Sequence, residues 1–504
     1  MFESESIWTK TGPTTSFPTL EGGRSAEVVV VGGGIAGLLT AALLAEQGKQ
    51  VSVVEARKIA SGTTGCTTGK LTVLHGLLYS KLTNRFGTDG ATTYAQANRR
   101  GIEIIRELVQ RYSIDCDLAD DFACTYTQSS DGAAAIRAEV VACQGAGIDA
   151  KLVSKTSLPF KIAAGVQVDT DQALFHPTKF CAGLAEGLSD AGVWIHENSR
   201  VRKVVHSSDK VVIETDEGSV TASDGVMATQ APIVDRALLF TRTVAERSYA
   251  MAVRLTGKAP VGMYLSAAGP VRSIRPHPGF GDDALILGGE KHRVGEEADT
   301  LARFAIMEEW ARRNFDIAKI EAMWSAQDYM PSDHRPFVGT AGVGASNTWV
   351  ATGFQKWGLS NAGAAAQIIT DGIVGRDNPW SGFFSSNRTG LRHSAVNVLK
   401  INVGTAKHLV GDRLKANLAL SAKDLKPGQS AIVHVGGKNA AAYRDDAGNL
   451  HAVSAACTHL GCLVNFNTAE RTWDCPCHGS RFAIDGTVLQ GPATKDLHHV
   501  EVEL

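Results

Sequence analysis

Four consecutive valines, Val28–Val31, open the most apolar stretch of the chain, which runs on to Ala45. The stretch is long enough to suggest a membrane span. It is broken by Gly32, Gly33, Gly34 and Gly37, however, and its first part is wholly β-branched. That pattern predicts a buried strand, a tight turn and a helix. A second strand follows in VSVVEA and ends at Glu55. Residues 96–112 and 176–191 carry apolar positions at helical spacing. After them come the strand-like runs VWIHE, VRKVVHS, KVVIETD and GVMATQ. A β-rich section covers about 247–290 and a helix about 298–315. Near 347–375 the strand TWVAT leads through GFQKWG into an Ala-rich helix. Residues 1–24 form a polar lead, and 381–420 read as a connector with a helical stretch that contains Gly404. From Leu425 the texture changes to short strands and turns (KPGQ, VGGKN, DDAGN), which places a domain boundary near 421.

The glycine turn has the full context of a dinucleotide-binding fingerprint. Gly32-x-Gly34-x-x-Gly37 follows a strand and opens a helix, and Glu55 ends the next strand. Gly32 makes the turn, Gly34 lets a pyrophosphate approach the backbone, and Gly37 allows close helix–strand packing. The helix N-terminus faces the phosphates, and Glu55 accepts from the adenosine ribose. Ala36 and Arg57 flank these positions and are taken with them as cofactor-binding candidates. A ligand-free glycine turn is the alternative, and the fingerprint alone does not say which dinucleotide binds.

Composition excludes several classes. The 504 residues suggest about three domains. With 44% hydrophobic and 20% charged residues the chain is neither disordered nor fibrous. A net charge of −2 gives no basic balance for nucleic acid or an anionic membrane. The N-terminus carries acids and no apolar targeting segment, so a cytoplasmic protein without a membrane span is expected.

Nine cysteines are unevenly placed, and Cys457, Cys462, Cys475 and Cys477 crowd the C-terminal end. Clustering at one end points to a metal site rather than a disulfide scaffold. Cys457-x-His459 and Cys475-x-x-His478 supply two thiols and two imidazoles. Zinc is the generic alternative, but its ribbons and fingers do not use this spacing. Two Cys and two His on two tight loops are the Rieske arrangement, in which two His replace two Cys on one iron.

Residues 421–504 accordingly resemble a Rieske [2Fe-2S] domain, an all-β fold. The extra pair, Cys462 and Cys477, resembles the respiratory cytochrome-complex type, and this resemblance implies a disulfide between them. It also matches Ser480 to a serine that donates to a bridging sulfide, and puts Phe482 where high-potential relatives have Tyr. Losing that donor implies a potential below that of respiratory centres. Gly491-Pro492-Ala493 resembles the loop that covers the cluster.

Upstream, SIWTKTGPTTSFPTL, SGTTGCTTGK (61–70), HPTKFCAGLAEGLSDAG (176–192) and ATGFQKWGLSNAG (351–363) resemble the D-amino-acid-oxidase superfamily of FAD enzymes. The resemblance covers about residues 5–380. It implies an α/β fold: a Rossmann-like FAD-binding domain in two pieces (25–235 and 326–380), with a β-rich substrate or cap domain (236–325) between them. It implies FAD and oxidation of a C–N bond by hydride transfer. Thr63 and Thr64 would approach the pyrophosphate, Val201 the adenine, and Ala228 the adenosine. Gly353 to Gly358, with Lys356 and Trp357, would lie beside the flavin ring. A helix starting near Leu359 would aim its positive end at the ring edge where charge gathers on reduction. Cys66 stands where some relatives bond covalently to the flavin. A thioether there competes with a plain buried Cys, and His75 is a second candidate for attachment.

Together the two resemblances imply that a small amine or amino acid reduces the flavin. The cluster then relays electrons to a protein, a quinone or oxygen. No D-x-x-H-x₃₋₄-H run supports a Rieske oxygenase, and no second fingerprint supports a ferredoxin reductase. Lys356, Arg335 and Tyr249 are the catalytic candidates; Asp328, Tyr329, Asp333 and His334 also precede PFVG, near where the family's active site lies, and Arg275 could point from the cap strands. Arg275 or Arg335 could clamp a carboxylate. The competing reading is a relay or sensor module serving a separate enzyme. Sequence leaves the oligomeric state open, a homo-oligomer included.

Overall fold

A computed structural model of the protein describes residues 4–388 and 422–502. The strand Gly22–Val31 runs parallel to Val51–Val54 on one side and to Gly218–Met227 on the other. Val28–Val31 are all buried, because a parallel strand is covered on both faces and needs a continuous apolar run rather than alternation. Trp194–His196 and Thr348–Thr352 extend the parallel part, and Lys203–His206 and Val211–Glu214 add an antiparallel edge. Helices Ile35–Glu46 and Gly358–Ile373 pack against each other and bury almost every side chain.

The helix expected at 96–112 is the second part of a longer one, Tyr79–Arg111, kinked at Gly87 (φ 73°, ψ 176°). Thr, Gly and Asn hide the helical character of its first part. Tyr79, Leu82, Ala91 and Tyr94 are buried there and hold it in place by tertiary packing.

A second sheet forms the cap. Its order runs from Ile317–Pro331 through Thr243–Leu255, Ala284–Arg293, Ser273–Pro276 and Met263–Ser266 to Ala123–Thr127, Ala164–Val168 and Ala150–Val153. The cap sheet therefore draws strands from 123–168, a region assigned by sequence to the FAD-binding part. The strand Ile317–Pro331 also runs unbroken across the boundary expected at 325/326.

The C-terminal part carries two small antiparallel sheets, Ser430–Val435 to Leu450–Ser454 and Asn465–Asn467 to Val488–Gln490. It docks on both other parts. Ala469 joins the apolar cluster of Phe304 and Met307 in the cap. The Asn465 amide donates to the Gly295 carbonyl at 2.8 Å, and Arg202 pairs with Asp496 at 3.3 Å. Beyond the short helix Ser381–Phe384 and residues up to 388, the expected connector lies outside the described residues. Among the described residues no helix is long and apolar enough to cross a membrane.

Candidate functional site

A cavity of about 510 Å³ runs between the first sheet, the cap and the C-terminal domain. The fingerprint forms one end of it. Gly32, Gly34 and Ala36 line the cavity, while Gly37 does not. A Cβ on Gly37 would sit 1.9 Å from the Gly32 carbonyl oxygen, so this position must be glycine for the helix to meet the turn. The N-terminus of Ile35–Glu46 opens into the cavity, where Thr64 Oγ1 accepts from the Ile35 N–H at 3.1 Å. This contact ties the 61–66 turn to the helix start. Glu55 accepts from the Gly33 N–H at 2.7 Å and the Arg57 N–H at 2.9 Å, and its remaining lone pairs face the cavity with Arg57, Val201 and Ala228.

Thr63 also lines the cavity; at the other end, Cys66, Gly353, Lys356 and Gly358 line the wall, and the helix Gly358–Ile373 opens its N-terminus there. Lys356 (φ 71°) donates to Ser248 Oγ at 2.8 Å and pairs with Glu246 at 3.1 Å. Asp328 stands beside it, and burial pushes its carboxyl up to about 6 against the pull of Lys356. Burial likewise pushes the Cys66 thiol up to about 11, which keeps it protonated at neutral pH.

Several expected residues lie elsewhere. Trp357 is outside the cavity lining and stacks on His75 at 4.4 Å between ring centroids. Both His75 nitrogens are engaged, with the Tyr94 hydroxyl and the Thr72 carbonyl, each at 2.8 Å. Tyr249 sits in the cap core, with its hydroxyl 2.8 Å from His292 Nε2 and its ring against Phe304. Arg335 packs between Phe86 and Phe383 and pairs with Asp333 at 2.9 Å. Burial would raise the Asp333 carboxyl, but Arg388 and Arg335 hold it well below the usual range. Arg275 is fully buried and donates to the Gly69 carbonyl at 2.7 Å. None of Tyr249, Arg335 and Arg275 lines the cavity.

In their place the cavity wall carries Arg247, Ser325 and Gln327 from the cap and Glu470, Arg481 and Gln490 from the C-terminal domain. The sequence reading missed these six. The alternation Ser325, Gln327, Tyr329 was the available signal, a polar stripe on a strand whose other positions are largely apolar.

The cysteine–histidine loops form a second, adjoining centre. Each loop is closed by its own backbone: Cys457 N–H to Cys462 O at 2.8 Å, and Cys475 N–H to Ser480 O at 2.8 Å. Cys462 and Cys477 are joined by a disulfide. The sulfurs of Cys462, Cys475 and Cys477 lie within 4.8 Å of one another, but the disulfide withdraws two of them from ligation. That leaves the thiols of Cys457 and Cys475 with the rings of His459 and His478, whose centroids are 5.0 Å apart. The hydrogen bond from Cys475 lowers the Cys457 thiol to about 7, while Cys475 moves the other way. His459 Nδ1 is buried with no hydrogen-bond partner among the described residues. An orphaned imidazole nitrogen beside two hydrogen-bonded thiols is the donor set an iron–sulfur cluster needs. Ser480 and Phe482 are fully buried beneath the loops.

Comparison with known proteins places both centres. Residues 27–372 match the family model of FAD dependent oxidoreductases, and residues 415–501 match the Rieske [2Fe-2S] domain. The Rieske 2Fe-2S iron-sulfur protein YhfW of Bacillus subtilis is 31% identical over 500 residues, 99% of this chain and 98% of that one. Gamma-glutamylputrescine oxidoreductase of Escherichia coli is 29% identical over 44% of this chain and 52% of its own length. Glycine oxidase from Geobacillus kaustophilus superposes with a TM-score of 0.61 at 17% identity, covering 72% of this chain and 99% of that one. L-amino acid deaminase from Proteus vulgaris gives 0.60 at 15%, covering 75% and 100%.

Proposed function

Starting from a chain that belongs to the FAD-dependent oxidoreductase family and ends in a Rieske [2Fe-2S] domain, we propose that it oxidises a C–N bond of a small amine or amino acid. The electrons pass to the cluster and then to an outside acceptor. One observation carries this reading: the Rieske domain is itself a wall of the cavity that holds the dinucleotide fingerprint. The relatives' names point to the same substrate class, a polyamine conjugate in one case and amino acids in two others.

When bound, FAD supplies a two-electron acceptor and the cluster a one-electron carrier. The chain's own residues do the rest. Gly32 and Gly34 clear space for the pyrophosphate, and the Ile35 helix end, with Thr63 and Thr64, faces it. Glu55, Val201 and Ala228 border the adenosine end. The Gly358 helix end would place partial positive charge at the reacting end, and Lys356, paired with Glu246, lines the wall beside it. Asp328, held near neutral by burial, is a group that can take or give a proton beside Lys356. Cys457, Cys475, His459 and His478 are assigned as the cluster ligands, with the Cys462–Cys477 disulfide tying their loops together. The acceptor is a protein, a quinone or oxygen.

The test is an anaerobic panel of amines, N-methylated amino acids and D- and L-amino acids. Flavin bleaching is followed by absorbance and the reduced cluster by EPR. One compound class is expected to bleach the flavin and raise the Rieske signal with it. A panel that leaves the flavin untouched overturns the substrate reading in favour of a relay that serves a separate enzyme.

A further inference from the structure

The cavity and the cluster loops meet along a single strand. Ser325, Gln327 and Tyr329 alternate along Ile317–Pro331, so they share one face. All three are buried and line the cavity. Two of them also touch the cluster loop. Gln327 Nε2 donates to the Gly479 carbonyl at 2.8 Å. The Tyr329 hydroxyl lies 3.0 Å from the carbonyl of His478 and 3.2 Å from that of Gly491, and donates to one of them at a time. It also lies 3.3 Å from Gln327 Nε2, from which it can accept. On the cavity side the Gln327 carbonyl accepts from Thr63 at 3.2 Å and from Gln230. Hydrogen bonds thus connect the pyrophosphate-side turn, through one strand, to the residue that carries a cluster imidazole.

Two glycines make this approach sterically possible. At Gly479 (φ 78°) a Cβ would lie 2.5 Å from Ala245 Cβ, 2.7 Å from Gln327 Nε2 and 3.0 Å from the Tyr329 hydroxyl. Across the seam, a Cβ on Gly295 would lie 2.8 Å from the Pro476 nitrogen. The His478 ring meets Phe240 edge-on at 4.9 Å and is 8% exposed. The face of the cluster loop that bears His478 is packed onto the cap.

We propose that Gln327 and Tyr329 are positioning residues for electron transfer, holding the His478–Gly479 segment against the cavity and setting the rate at which electrons reach the cluster. This rests on the reading above that electrons pass to the cluster at all. In each crossing the flavin loses one electron and the cluster gains one. No protein bond forms or breaks, and the proton that flavin oxidation releases goes to water. The two electrons of one substrate need two crossings, with a one-electron acceptor outside the protein reoxidising the cluster between them.

The experiment uses the full-length protein loaded with FAD and cluster, and needs no substrate. Under anaerobic conditions, blue light with EDTA as electron donor reduces the bound flavin. The dark transfer after a flash is read as flavin reoxidation by absorbance and as reduced cluster by freeze-quench EPR. Tyr329→Phe removes the hydroxyl's contacts with the His478 and Gly491 carbonyls and with Gln327, and Gln327→Met removes the Nε2 contacts with Gly479 and Tyr329, each at nearly constant volume. Each is expected to slow transfer about tenfold, equivalent to about 1.4 kcal/mol in barrier. FAD content, cluster content and the EPR line shape should match the wild type. Asn465→Ala removes the seam contact to Gly295 but lines neither the cavity nor the cluster, and is expected to keep the wild-type rate. Transfer within about twofold of wild type in the double variant, or in both single variants should the double load no cluster, overturns the proposal. Equal slowing by Asn465→Ala also overturns it, because the effect would then be loosened docking. A wild-type cluster that stays oxidised beside reduced flavin overturns the electron-transfer reading, and the proposal with it.

Discussion

Glu470 is where the Rieske domain enters the flavin cavity, and its removal should be costly. Its carboxylate pairs with Arg247 of the cap and, at 2.7 Å, with Arg481, and it accepts from Asn467 at 3.3 Å. Asp474 takes the other edge of Arg481 at 2.9 Å. Two guanidiniums thus face two carboxylates, with side-chain exposures of 2%, 11%, 14% and 3% for Arg247, Arg481, Glu470 and Asp474. Burial, and Arg481 beside it, already push the Arg247 guanidinium down. Glu470→Ala leaves two cations against one carboxylate, with Ser325 as the remaining side-chain partner of Arg247. Breaking a buried pair from one side costs about 3–5 kcal/mol. Glu470 borders the cavity, where water can reach the stranded arginine, so the lower end, about 3 kcal/mol, is expected. The assay is urea unfolding of the holoprotein, followed by visible circular dichroism of the cluster and by fluorescence of released FAD. The double variant Arg247→Met, Glu470→Leu should recover most of the loss, because the attraction of a buried pair is largely offset by the desolvation of its charges. A single-variant loss below about 1 kcal/mol, or a double variant that costs the sum of the two singles, would refute the reasoning.

Further outcomes are expected at three places. Gly37→Ala drives a Cβ into the Gly32 carbonyl and should destabilise the FAD-binding part itself by about 3 kcal/mol. Gly34→Ala meets only Thr64 Oγ1, at 3.1 Å, and should weaken FAD affinity while the apoprotein melts as before; titration of apoprotein with FAD separates the two. Cys475→Ser should abolish the cluster EPR signal. Cys462→Ser should keep the signal but lower resistance to heat, since a disulfide closing a loop of about 15 residues contributes about 3 kcal/mol. Asp328 has a folded-state value of about 6, above its unfolded value of about 4. The stability it contributes is therefore fully present below about pH 4 and is lost as pH rises through about 6. Asp328→Asn should flatten the stability profile across that window, and an unchanged slope in pH-resolved urea unfolding would count against the assignment.

Residues whose geometry is set by near neighbours in the chain were legible without the fold. A strand, three glycines and a helix fix the phosphate site by backbone conformation alone, so Gly32, Gly34, Gly37 and Glu55 could be named from their spacing. Cys457, His459, Cys475 and His478 could be named in the same way, because each Cys–His pair sits on one short loop closed by its own backbone. The substrate-facing wall was not legible, and the strand Thr243–Leu255 shows why. Arg247 and Tyr249 are two residues apart and share a face, so the chain gives them equal claims on the cavity. The helix Thr300–Asn314 covers Tyr249 through Phe304, while Arg247 is left to meet Glu470. Where one cover ends and the other begins depends on how domains more than two hundred residues apart dock. Arg335 was named for its charge, yet Asp333 and two phenylalanine rings spend that charge on structure. Sequence thus determined the two cofactor classes, because the motifs that mark them are encoded in short-range backbone geometry. Only the tertiary structure decided that the Rieske domain walls the flavin cavity and which side chains stand between the two centres, because those contacts arise from packing between distant segments.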